Sequence, residues 1–152
     1  MSKTSKHIKQ KLFSACKDFV AEKEQTIEGI ITSYKNSLAS ETKSSAGDKH
    51  ETGRAMLQLE MEKASQQLSE IHKMKATLER INIQKNAERA TLGSIISTEK
   101  FNYFLGISVG KVVVDGTEYF LVSTNSPIGK QLLGIEKGVT IPLNNQVVEQ
   151  IL

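Results

Sequence analysis

Asp48 and Glu51 stand three residues apart in the stretch GDKHETG, Gly47 to Gly53. If a helix begins there, side chains at that spacing share one face. Two carboxylates so placed offer the hard oxygen ligands that Mg²⁺ takes, and Mg²⁺ commonly needs only one or two from any one chain. Such a pair is half a site and requires a partner to complete it. The same residues suit a plainer role. Asp48 as N-cap and Glu51 at the third helical position form an Asp-x-x-Glu version of the capping box, and both carboxylates favour the positive end of a helix dipole. The two roles are compatible. His50, between the acids, is either a proton carrier or an exposed histidine at a helix start. Lys43, Lys49 and Arg54 flank the turn as solvated charge offsetting nearby acids, or as contacts to phosphate.

Other candidates fall away on chemistry. GISVG, Gly106 to Gly110, matches G-x-S-x-G, but that motif needs a strand-to-helix elbow and a later histidine. A strand is expected after it, and all three histidines precede Ser108. Cys16 is the single cysteine, so no intramolecular disulfide or thiolate zinc site can form. It falls on an apolar helical stripe and reads as a buried, inert thiol. His7 and His72 lack a second ligand at metal spacing and read as surface residues.

The elements that would position the acid pair follow from periodicity. Leu12, Cys16, Phe19, Ile27, Ile30 or Ile31, Tyr34 and Leu38 recur mostly at three and four residues, as on one helix seam. Gly29 lies within this stripe. Leu57, Met61, Ala64, Leu68, Ile71, Lys75 and Leu78 form a second stripe, with Met74 able to cover the polar break at Lys75. A short turn between two such helices makes them antiparallel. The second helix, from about Lys49 to Ile81, predicts a rod of roughly 50 Å at 1.5 Å per residue, with the acids at its far end.

After residue 83 the period shortens. TLGSIIST, FNYFLGIS, KVVVDG and TEYFLVST are β-branched or aromatic runs bounded by turn residues. Asp115-Gly116 is a two-residue hairpin signal. Ser126, Pro127 and Gly134 mark the cap, first position and end of one short helix. VTIPL and QVVEQIL are expected to pair around Asn144-Asn145, with Pro142 keeping the first at an edge. The fold expected is α+β: an antiparallel helical hairpin over residues 1–83, with its tip near 44–52, then a small antiparallel β domain with one short helix over residues 84–152.

The chain of 152 residues has 24% charged and only 5% aromatic residues, with no Trp. That suits an elongated hairpin better than one large core. A net charge of +3 does not by itself argue for nucleic acid. No run approaches the ~20 apolar residues of a membrane span. The stretch before LFSAC is basic and polar, without the apolar segment of a signal peptide. A cytoplasmic protein is expected, with no membrane partner.

Together these parts resemble the Gre family of bacterial transcript cleavage factors. GDKHETG is similar to the family's Gly-Asp-Leu-x-Glu-Asn tip, with Lys49 in place of Leu and Thr52 in place of Asn. NSPIGKQLLGIEKG, from Asn125, is similar to the family's Asn-Ser-Pro-Ile segment. The resemblance runs from about residue 41 to the C-terminus. It implies an FKBP-like C-terminal domain that docks at the rim of RNA polymerase's secondary channel, through Ser126, Pro127 and Ile128. The coiled coil then reaches down the channel. Asp48 and Glu51 would act there as the catalytic, metal-directing acids, holding Mg²⁺ shared with the polymerase and positioning water at the 3′ end of backtracked nascent RNA. Gly47, Lys49 and Arg54 would support the tip. On this reading the factor is no enzyme itself but stimulates the polymerase's hydrolysis, and meets DNA only indirectly. Two alternatives stay open: a secondary-channel regulator or inhibitor without cleavage activity, and a coiled-coil adaptor whose tip acids only cap the helix.

Overall fold

The computed structural model describes residues 3–43 and 48–152, and the side chains of 3–40 and 52–152. Helix α1 spans Lys3–Lys43 and helix α2 spans Asp48–Glu79. By its internal contacts the chain divides into two compact units. One is Val20–Met74; the other joins Met1–Phe19 to Lys75–Leu152.

The Val20–Met74 unit is the helical hairpin. Along α1 the covered positions are Ile27, Ile31, Tyr34 and Leu38; along α2 they are Leu57, Met61, Ala64, Leu68, Ile71 and Met74. This is the three-four alternation of a two-helix seam. Between the two isoleucines, Ile31 packs and Ile30 is exposed. Met74 covers the gap at Lys75, which faces solvent. The helices run antiparallel: Glu24, early in this unit, lies 3.4 Å from His72, near its end. Most seam residues are only half-buried, because each helix has just one partner to cover it.

The other unit is built on a sheet. Its strands are β1 Ile95–Ser97, β2 Asn102–Gly106, β3 Gly110–Val114, β4 Thr117–Ser123, β5 Thr140–Ile141, β6 Gln146–Val147 and β7 Gln150–Ile151; the short helix α3 is Pro127–Leu132. Five strands form one sheet in the order β3-β4-β2-β1-β7, and β5 pairs with β6 alone. The β3–β4 hairpin closes at Asp115 (φ 50°) and Gly116 (φ 80°), the positive-φ pair its two-residue turn requires.

The sheet is mixed, which corrects the expectation of purely antiparallel strands. β4 lies beside β2 and runs parallel to it, from Tyr103↔Phe120 to Gly106↔Ser123. The chain reverses after β2 and again at Asp115-Gly116, so β4 regains the direction of β2. β4, rather than β3, takes the inner place because it buries Tyr119 and Leu121, whereas β3 leaves Lys111 and Val113 to solvent, as an edge strand does. A second difference lies at the C-terminus. QVVEQIL is not one strand: Gln146–Val147 pairs with β5, whereas Gln150–Ile151 pairs with β1. The chain changes sheets where the Val148 N–H donates to Val139 O and the Glu149 N–H to Ser97 O.

One core cluster joins Ile96, Tyr103 and Leu105 of the sheet to Leu132 of α3 and to Ile135, Ile141 and Val148. Ile95 and Phe104 alternate with these residues along their strands and are also buried, so the sheet is covered on both faces. The first turns of α1 belong to this unit. Leu12 and Cys16 are fully buried, and Cys16 hydrogen-bonds with the backbone of Ile107. Among the described residues no helix is long and apolar enough to cross a membrane.

Candidate functional site

The sequence nominates two groups of residues, and they belong to different compact units. Asp48, Lys49 and Glu51 lie in the first turn of α2. Their backbone is helical, so positions 48 and 51 share a face one turn apart, the relation the metal reading requires. With Asp48 already the first helical residue, the N-cap position precedes it, which corrects the expectation of Asp48 as the cap. Gly47 and the side chains of Asp48, Lys49 and Glu51 lie outside the described residues. Arg54, one turn further on, is exposed. Two carboxylates supply a minority of the six oxygens around Mg²⁺, so this donor set fits an ion held jointly with water and another molecule. Among the described residues no cluster of three or more His, Cys, Asp or Glu side chains could hold a metal by itself.

The second group is Ser126, Pro127 and Ile128 at the start of α3. Ser126 is the N-cap: its hydroxyl accepts from the Gly129 N–H (3.1 Å) and donates to Ser123 O (2.6 Å). Pro127 follows at the first helical position and is exposed; Ile128 is half-buried against the core cluster. Gly129 is dictated by close approach, since a Cβ there would run into the Ser123 carbonyl. The segment is therefore a rigid turn that holds Pro127 out to solvent. At its far end Leu133 caps the helix and Gly134 turns with φ 81°.

The remaining candidates are placed plainly. Cys16 is sealed in the core, and burial pushes its thiol up to about 12, a small opposing pull coming from the Ile107 backbone. Ser108 lies in the loop before β3 and accepts from the Ser123 N–H at 3.2 Å. His7 lies 3.7 Å from Asp115, which also takes Lys11 at 3.3 Å, so the β3–β4 turn is tied to α1. His7 and His72 are both about half exposed, the first at 52% and the second at 56%.

Two features escaped sequence reading. Lys9 is buried, 1% exposed, and its Nζ donates to Lys85 O at 3.3 Å. Leu133, Val139, Leu143 and Val147 stand exposed in the last twenty residues. The only sequence signal for Lys9 was its place between Ser5 and Leu12 on the buried side of α1, where the helical period reaches it.

The sequence matches no protein-family model and no curated protein. Among solved structures, one of the transcription factor Gfh1 is similar at 17% identity and a TM-score of 0.31, over 99% of this chain and 95% of that one. A likeness at that level bears on neither partner nor activity.

Proposed function

We propose that this chain is an accessory factor of RNA polymerase that enters the secondary channel and promotes cleavage of backtracked RNA. The observation that carries the reading is the register of α2. The helix starts at Asp48, so both acids of the Gre-like motif fall in its first turn, at the end of the hairpin where the chain reverses. A narrow two-helix element with carboxylates at its turn suits a long channel. The exposed Pro127, on its rigid turn, suits docking at the rim together with Ser126 and Ile128.

Asp48 and Glu51 would hold Mg²⁺ jointly with the polymerase, and that ion supplies Lewis-acid stabilisation and a more acidic bound water. The chain's own part is to carry negative charge to the 3′ end of the RNA and fix its position there. The bond broken belongs to the polymerase's site, and the factor is no nuclease alone. Lys49 favours a second reading, entry into the same channel without cleavage. A cation between the two acids competes for their charge, where the family carries an apolar leucine.

The test is a backtracked RNA polymerase complex incubated with Mg²⁺ and either wild type or Asp48→Asn/Glu51→Gln. Asn and Gln keep the size and polarity of the acids they replace in the first turn, so the helix start survives while ligand charge is lost. The expected result is transcript shortening by wild type, reduced by about a hundredfold or more in the variant, the scale of losing one group that stabilises transition-state charge. Binding without shortening supports the second reading. Neither binding nor shortening removes both.

A further inference from the structure

The unit containing the sheet has an uneven charge. Residues 1–17 carry five lysines and no acid, whereas the rest of that unit carries eight basic and eight acidic residues. Its whole net charge therefore lies on the first turns of α1. Lysines there oppose the helix dipole, which favours acids at an N-terminus, and the first turn of α1 contains none. Local stability does not explain that choice.

Two of the five are already engaged: Lys9 is buried against Lys85 O, and Lys11 pairs with Asp115. Lys3, Lys6 and Lys17 are exposed. None of the three has an ion-pair partner among the described residues; Lys17 lies over the Phe13 ring at 4.8 Å. At 100° per residue they fall within about 60° of arc, with Gln10 between them, along about 21 Å of helix.

We propose that this stripe binds the phosphate backbone of double-stranded DNA, without reading its sequence. Laid along the duplex axis, a stripe of that length passes about six phosphates of one strand at about 3.4 Å of axial rise each. A lipid surface is a poor fit, because Leu12 and Cys16, the apolar side such a helix would insert, are already buried in the protein. Single-stranded nucleic acid is a poorer fit, since it binds by stacking on aromatic rings, and the ring beside the stripe, Phe13, is half-buried with Lys17 lying over it. The stripe belongs to a different unit from Asp48 and Glu51 and needs no polymerase, so its failure and that of the cleavage reading are separable.

The test uses the full chain and a fluorescent 24-base-pair duplex, followed by anisotropy at 50 and 200 mM KCl, beside a single-stranded RNA of equal length. Three phosphate contacts predict a log–log salt slope of about −2.7, a loss of about 40-fold in affinity across that range. Lys3→Gln/Lys6→Gln/Lys17→Gln is expected to weaken duplex binding at 50 mM by about tenfold or more and to flatten the slope. Lys63→Gln/Lys73→Gln/Lys137→Gln removes equal charge elsewhere and is expected to stay within about threefold of wild type. No duplex binding at 50 mM, equal losses in the two variants, or tighter binding to the single-stranded RNA would each overturn the proposal.

Discussion

Lys9 shows what one residue costs when the fold places it inside. Its ammonium is buried with one carbonyl as a hydrogen-bond acceptor, and burial holds its pKa below the usual lysine value. The unfolded chain restores the ordinary value of about 10.4. Between the two, the unfolded chain binds more protons than the folded one, so stability rises with pH through that window. Below it the full cost of burying the charge is present. Lys9→Met keeps the unbranched stem, which packs adaptably, and removes the charge. The expected outcome is a Tm raised by about 2–4 °C at pH 7, and loss of the alkaline rise in stability. Urea denaturation from pH 7 to 10.5 checks both; a variant less stable than wild type at every pH would show that the Lys85 contact outweighs the desolvation. The helical period that reaches Lys9 is the one trace of this in the sequence. Composition treats each lysine as surface, and only tertiary packing decides which one the core encloses.

At the scale of elements, far more was legible. The three-four stripes gave both helices because a seam imposes its period on whatever sequence fills it. Ser126, Pro127, Gly134 and Asp115-Gly116 gave the short helix and the hairpin because caps and tight turns demand particular residues. The parallel β2–β4 pair was hidden, since strand order depends on which strand is buried on both faces, and local patterns record faces without neighbours. The split of the C-terminal strand at Val148 was hidden for the same reason. For the candidate site, a helix start close to Asp48 was legible from the turn residues before it, while its chemistry depends on a partner outside the chain. One element detail gives a direct test. Gly29 lies mid-helix in α1, exposed, and a Cβ there would meet nothing within 4 Å. Gly29→Ala should therefore stabilise the hairpin by about 1 kcal/mol through helix propensity alone. Amide exchange along residues 20–40 reads this directly, and faster exchange in the variant would mean the glycine serves a bend or a contact that the helix needs.

Over the whole molecule, the two units differ in how they are held and in charge. The hairpin unit carries seven basic and nine acidic residues, so the net positive charge of the chain comes from the other unit. The hairpin's seam is mostly half-buried, with Val20, Ala64 and Ile71 its well-buried residues, whereas Tyr103, Phe104 and Leu105 of β2 are all buried in succession. Less apolar area leaves water per residue in a two-helix seam than in a sheet covered on both faces, and that area is the main favourable term in folding. Cooperative units with fewer buried contacts open at lower free energy than the global transition. Native-state hydrogen exchange should therefore show amides of Ile27–Leu38 and Leu57–Leu68 exchanging by a sub-global opening, about 30-fold faster than those of β2 and β4, equivalent to about 2 kcal/mol. Gly29→Ala should slow the hairpin amides and leave the sheet unchanged. Equal protection throughout, or a response of the sheet to Gly29→Ala, would mean that the chain opens as one cooperative body. The separation matters for the proposed activity: a hairpin that opens on its own would bring Asp48 and Glu51 to the RNA only while folded, so Gly29→Ala should speed transcript shortening wherever hairpin opening limits it.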